Sequence, residues 1–374
     1  MDSITYVLFN DSYRRYDNTA WNNAKGNVIP IVNITTYGKN KRMLDFEIEC
    51  IKDLDKQFGG LLNVFWESDL TKYKPLYSNK SSYKSKDTGF DFDYSFLANG
   101  YGNFTRPYKV YSNFVETWKD SIIPPNFGKK YPKNILVFPN GVFKDPKYTR
   151  YVPLQSNLLQ GGRSNALAIL KNLVKNHKSY HETRNIITIP TTNLSPYLNF
   201  GCISMREAAQ AIKKDKLPAL LAELWWREFY NQICHFFPEL YTKGAAFYSQ
   251  RDKWWLTGTE GKTVFESWKE GRTGCDIVDA SMRYLNRTGM LHNRCRMIVA
   301  SYLVKDMGID WREGEKYFAT QLLDYYFPSN NGGWQYISGT GPSSMMQSRK
   351  FNPIIQAKKY DPESKFVKKN IHSK

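Results

Sequence analysis

The chain has 374 residues, enough for two domains or for one large and one small. A hydrophobic share of 41% supports a packed core, and a net charge of +18 points to a polyanionic partner, nucleic acid before an anionic membrane surface. No apolar run is long enough to span a bilayer, no charged-then-apolar leader opens the chain, and the five cysteines lie far apart without a C-x-x-C. These features suggest a soluble protein of a reducing intracellular compartment, with nucleus and cytoplasm both open. His177 and His181 have helical spacing but no third ligand, so no metal site is expected. The ten tryptophans fit a heavily aromatic core or stacking surfaces for a ring cofactor or for bases.

Residues 4–9 (ITYVLF), 28–34 (VIPIVNI) and 61–66 (LLNVFW) are short apolar runs that read as buried strands. Residues 43–58 carry apolar positions at helical spacing, with Gly59 and Gly60 as the stop. Strand, helix and strand in this rhythm predict a small, Rossmann-like parallel α/β domain over 1–118, although no G-x-G-x-x-G follows the first strand. Residues 71–103 read as a long loop, 108–118 as a short helix, and 119–163, rich in Pro and Gly, as an interdomain connector. From 164 to 374 the pattern is helical, with apolar faces in 166–175, 204–214, 217–237, 277–286, 291–307 and 314–327. Ser204 and Glu207 form a capping box. The fold class is therefore a small α/β N-terminal domain followed by a larger all-α domain.

Three constellations carry chemistry. Hydroxyls and amides at 191–196 (TTNLSP) precede a helix, which suits phosphate oxygens or simple turn capping. Glu223, Trp226, Arg227 and Tyr230 fall on one helix face, either as a wall for a planar hydrogen-bonding ligand or as a surface face with a Glu–Arg pair. The stretch 274–361 crowds Asn293, Arg294 and Arg296 together. It also places Asp324, Asn330, Asn331 and Trp334 in what reads as one short loop. One of the two arginines can face a phosphate while the other pairs with a buried acid, for which Asp324 is the choice; both can also be surface cations.

The chain resembles the photolyase/cryptochrome family, and within it the class I cyclobutane pyrimidine dimer photolyases. The resemblance rests on residues 191–201 (TTNLSPYLNFG), 226–230 (WREFY), 274–289 (GCDIVDASMRYLNRTG), 292–297 (HNRCRM), 305–315 (KDMGIDWREGE), 330–335 (NNGGWQ) and 351–353 (FNP), in register over roughly 161–362. It implies FAD in the helical domain, active when reduced. Tyr180, Thr191, Thr192, Asn193, Leu194 and Ser195 would hold its phosphates and ribityl side. Arg296 and Asp324 would form an ion pair beside the ring, with Tyr326, Glu223 and Asn330 near it. It implies a lesion pocket of Glu223, Asn293, Met297, Trp226 and Tyr336, in which a photoexcited electron splits the flipped dimer. DNA contacts would come from Trp226, Arg227, Tyr230, Asn293, Arg294 and Arg349. Trp334, Trp311 and Trp255 (or Trp254) match the tryptophan chain that reduces the flavin. The expected partner is DNA containing pyrimidine dimers, met by a monomer away from membranes.

The chain departs from the family pattern at Tyr326, where an acid is usual, at Leu220 and Tyr336, and over 343–348. The α/β domain reads as shortened and the chain ends soon after Phe366, without the usual final helices; the short domain argues against a second, light-harvesting chromophore. Two other readings stay open. A cryptochrome-like photoreceptor without repair is disfavoured by Asn330, and a DNA-binding protein without flavin is supported by Tyr326 alone.

Overall fold

The computed structural model describes residues 4–71, 76–77, 95, 97, 104–125, 133–138, 140–153, 158–252, 256–342 and 350–372. They form two compact units. The first is made of Met1–Thr105, Trp118–Asn176 and Leu194–Leu224, and the second of Arg106–Thr117, His177–Asn193 and Trp225–Lys374.

The first unit is built on a parallel sheet. β1 (Ile4–Leu8) pairs with β2 (Gly26–Ile34), with Leu8 opposite Ile31. β3 (Asn63–Trp66) runs beside Ile31–Ile34 of β2, β4 (Leu76–Tyr77) beside β1, and β5 (Lys133–Ile135) beside Gly26–Val28. β5 lies inside 119–163, so that stretch supplies a strand to the sheet. Parallel neighbours need a crossover, and the Lys41–Gln57 helix provides the one from β2 to β3. Asn40 caps its start by accepting from the Met43 N–H, and Phe46, Ile48, Ile51 and Leu54 line its buried face. Gly59 and Gly60 end it at φ +64° and +84°, a backbone that side chains with a Cβ seldom adopt.

A buried ion pair and buried hydrogen bonds fasten the turn after β1 to the later helices of this unit. Asp17 accepts from the Ser204 hydroxyl and from Arg206 Nε at 2.8 Å, and Arg14 donates to the Gly201 carbonyl at 3.0 Å. The capping box is present, and its Glu207 also takes both terminal nitrogens of Arg163, at 3.0 and 2.6 Å. One carboxylate thus closes a helix end and neutralises a buried cation, which spares both the cost of a lone buried charge.

The second unit is helical. Its core packs Trp268, Met282, Ile298, Leu303, Phe318 and Trp334 from five helices and the π-helical turn Tyr302–Asp306. Two elements differ from the sequence reading. Gly258–Lys269 is a helix that periodicity did not reveal. Asn330, Asn331 and Trp334 lie in the Phe327–Ser338 helix and not in a loop; Pro328 starts that helix, where its missing N–H costs nothing. Among the described residues no helix is long and apolar enough to cross a membrane.

Candidate functional site

The Pro218–Phe236 helix carries Glu223, Trp226, Arg227 and Tyr230. Glu223 is half-buried. Trp226 is half-buried too, and Tyr111 lies flat against it, with ring centroids 3.6 Å apart and planes within 6°. Tyr230 is buried, with its ring so close to Gly332 that a Cβ there would sit 2.2 Å from it. Burial and then the nearby Tyr336 hold its phenol well above the usual range. Arg227 is only 8% exposed, and its guanidinium lies 3.5 Å from the centroid of the Tyr326 ring. Its Nε and Nη2 find no hydrogen-bond acceptor among the described residues. Arg227 and Tyr230, expected at a DNA surface, are therefore interior groups: both face elements packed against this helix. An unsatisfied buried donor costs about 1–3 kcal/mol, more when charged, so the two nitrogens of Arg227 mark a place for an acceptor-rich ligand.

Arg296 and Asp324 meet as the sequence suggested. Arg296 Nη2 lies 3.0 and 2.9 Å from the two carboxylate oxygens, and its Nε donates to the Leu291 carbonyl at 2.8 Å. Asp324 stands in the turn between the Trp311–Gln321 and Phe327–Ser338 helices and is almost fully buried. Tyr326, two residues on, is buried and donates its hydroxyl to Asn231 Oδ1 at 2.7 Å. Asn330 Nδ2 donates to the Glu315 carboxylate at 3.1 Å, as does the Tyr325 hydroxyl. Burial raises the Glu315 pKa against these two donors.

The Asn293–Ser301 helix begins with Asn293 exposed, and Met297, one turn on, is half-buried. His292 caps this helix through Nδ1, which accepts from the Arg294 N–H at 3.1 Å. Burial, then Arg296 and Arg294, lower its pKa to about 4, so the imidazole is neutral at pH 7. Arg294, expected on phosphates, instead donates to Asn185 Oδ1 at 2.6 Å and lies over the Tyr360 ring. Tyr336 is 37% exposed on the Phe327–Ser338 helix.

Tyr180 and Leu194 are buried, while Thr191, Thr192, Asn193 and Ser195 are half-buried; Asn193 has a positive φ of 53°. Trp311 and Trp334 are both buried. Among the described residues the rings in contact with Trp334 are Trp268, at 6.1 Å between centroids, and Phe318, at 5.1 Å. Trp254, Trp255 and Arg349 lie outside the described residues.

Residues 220–373 match the FAD binding domain of DNA photolyase. The deoxyribodipyrimidine photo-lyase of Vibrio cholerae is 35% identical over 278 residues, which is 70% of this chain and 58% of that protein. The one from Escherichia coli is 39% identical over 213 residues, 54% of this chain and 44% of that protein. An archaeal photolyase from Sulfolobus tokodaii, solved with two FAD molecules, superposes with a TM-score of 0.81 at 29% identity, over 99% of this chain and 90% of that one. The chain is similar to the photolyase/cryptochrome family in sequence and in fold. A Synechocystis cryptochrome shares the fold, with a TM-score of 0.82 at 23% identity over 98% of this chain and 88% of that one. The chain spans between about a third and three fifths of the curated photo-lyases it matches, 58% and 44% of the two above.

Set against the photolyase/cryptochrome pattern, the structure shows what stands at 326 in place of the expected acid. At 326 a phenol bonds Asn231 and its ring carries the Arg227 guanidinium. Sequence reading missed Glu315, Asn231, Trp268 and Tyr111. Glu315 sits inside the WREGE run and could have been picked out as an acid beside amides. Tyr111 has no local signal, because its partner is remote in sequence.

Proposed function

We propose that the chain binds FAD and uses light to split cyclobutane pyrimidine dimers in DNA. The observation that carries this is Arg227: a buried guanidinium with two unsatisfied nitrogens, inside the segment that matches the FAD binding domain of DNA photolyase. A flavin dinucleotide offers the carbonyl and phosphate acceptors such a group lacks. Arg227, the Arg296–Asp324 pair, Tyr326 and Asn330 would hold its ring, and Tyr180 with Thr191, Thr192, Asn193, Leu194 and Ser195 its phosphates and ribityl side. When bound and reduced, FAD supplies the light-excited electron donor.

The chain's own residues supply orientation and electrostatics. Asn330 Nδ2 is committed to Glu315, which leaves Oδ1 to accept from a ligand N–H. Glu223 and Asn293 would bond the pyrimidine edges, while Trp226, Met297 and Tyr336 pack on the rings. Opening the cyclobutane breaks two carbon–carbon bonds without net oxidation, so these groups need only fix geometry and steady transient charge. A dimer is already weakly paired and stacked, which lowers the cost of flipping it out. The excess of cations fits a DNA partner.

The protein should retain FAD through purification, and Glu223→Ala should lower dimers split per absorbed photon about tenfold with FAD content unchanged. Loss of FAD from that variant would assign Glu223 a structural role and remove it from the lesion site.

A further inference from the structure

Arg106–Thr117 packs with the helical unit, although the chain up to Thr105 and again from Trp118 belongs to the first unit. A side chain of the Pro218–Phe236 helix holds it. Gln232 is fully buried and clasps the backbone of Tyr108: its Oε1 accepts from the Tyr108 N–H at 3.1 Å, and its Nε2 donates to the Tyr108 carbonyl at 2.7 Å. Just beyond, the Tyr111–Trp118 helix sets Tyr111 and Phe114 three residues apart on one face. Phe114 is fully buried, edge-on to Trp225 at 5.7 Å between centroids and tilted against Phe229 at 5.9 Å.

This anchoring brings Tyr111 onto Trp226. Centroids 3.6 Å apart and planes within 6° make a face-to-face sandwich, whereas two free aromatic rings favour an offset or edge-on arrangement. The docked helix, more than the attraction between the rings, therefore sets the geometry. Phe229 meets both rings edge-on, at 5.8 Å from each, and Tyr230 lies 5.8 Å from Trp226 at 28°. The indole is thus held by three neighbouring rings while it stays partly open to solvent.

We propose that Tyr111 is a positioning residue for the lesion: it backs Trp226, so that the indole offers its remaining surface to the pyrimidine dimer as a rigid platform. The inference rests on the repair reading, in which Trp226 packs on the dimer. An unsupported tryptophan loses rotamer freedom when it stacks on a base, and a ring that is already fixed avoids most of that cost. Stacking uses the π-face alone, so Tyr111 acts through its ring and not its hydroxyl.

Two substitutions test this. Tyr111→Leu keeps apolar bulk but has no flat face, while Tyr111→Phe keeps the flat face without the hydroxyl. Affinity for an oligonucleotide containing one thymine dimer should fall about threefold to tenfold in Tyr111→Leu and hold in Tyr111→Phe. Affinity for the undamaged oligonucleotide, flavin content and melting temperature should be unchanged in both. Dimers split per absorbed photon at saturating lesion should be unchanged too, the mark of lost binding alone. In a Trp226→Leu background, Tyr111→Leu should cost nothing further. Unaltered dimer affinity in Tyr111→Leu overturns the backing role. Tighter binding overturns it as well, because Tyr111 would then occupy the pyrimidine's own place. An equal loss in Tyr111→Phe contradicts stacking, and a full second loss in the Trp226→Leu background shows that Tyr111 does not act through Trp226. If the unmodified protein neither prefers the dimer-containing strand nor splits the dimer in light, the repair reading itself has failed and this role falls with it. Light-driven splitting, with dimer affinity untouched in Tyr111→Leu, defeats the role of Tyr111 alone.

Discussion

At the scale of single residues, the site is a set of polar groups whose burial forces them to find partners. Arg296 found Asp324, Asn330 found Glu315, and Arg227 Nε and Nη2 found no acceptor among the described residues. Gly332 shows how tightly this neighbourhood is packed. Alanine there would gain about 1 kcal/mol of helix propensity. It would also drive a methyl into the Tyr230 ring, an overpacking that costs roughly 1–3 kcal/mol or more. Gly332→Ala should therefore lower stability in urea unfolding by about 1–2 kcal/mol; a more stable variant would mean the ring moves aside freely. His292 makes a pH prediction. Its pKa falls from 6.5 in the unfolded chain to about 4 when folded, because of burial and the two flanking arginines. The unfolded state then binds the extra proton between these values, so stability is full above pH 6.5 and is lost as pH drops toward 4, by about 3 kcal/mol in total. The melting temperature of His292→Gln should be flatter over this window, and equal slopes would argue against a neutral buried imidazole. Arg296–Asp324 was legible in the sequence because a cation and an acid stood among apolar neighbours that require pairing. The burial of Arg227 was not, since its cover, Tyr326, is brought over it only by the fold.

At the scale of elements, strong periodicity was readable and weak periodicity was not. The Lys41–Gln57 helix, with its apolar stripe, Asn cap and glycine stop, stands where the sequence placed it. β5 escaped notice because its three residues are preceded closely by Pro132 and followed by Pro139. The Gly258–Lys269 helix was hidden by two glycines and a mixed polar face, and with it the position of Trp268. The Phe327–Ser338 helix reads as a loop because Gly332 and Gly333 lower its propensity; close packing against Tyr230 overrides that preference. These elements bring Trp268 edge-on to Trp334. Light-driven reduction of bound flavin should accordingly slow severalfold in Trp268→Phe and more in Trp334→Phe, read as the rate of bleaching of the oxidised flavin band. An unchanged rate in Trp268→Phe would leave that indole a packing group only.

At the scale of the molecule, the small parallel sheet and the larger helical portion were both foreseen from the order of strand-like and helix-like runs, since parallel strands and amphipathic helices have distinct periods. The net charge of +18 is a whole-chain property with a whole-chain consequence: DNA affinity should fall steeply with salt, with a log–log slope of about −0.9 per phosphate contacted. The account as a whole stands or falls on light-dependent repair. The purified protein, with its FAD reduced, is mixed with an oligonucleotide containing one thymine cyclobutane dimer and divided between darkness and blue light. The account predicts loss of the dimer and recovery of two thymines in the lit sample alone; FAD-bound protein that leaves the dimer intact under illumination would contradict it.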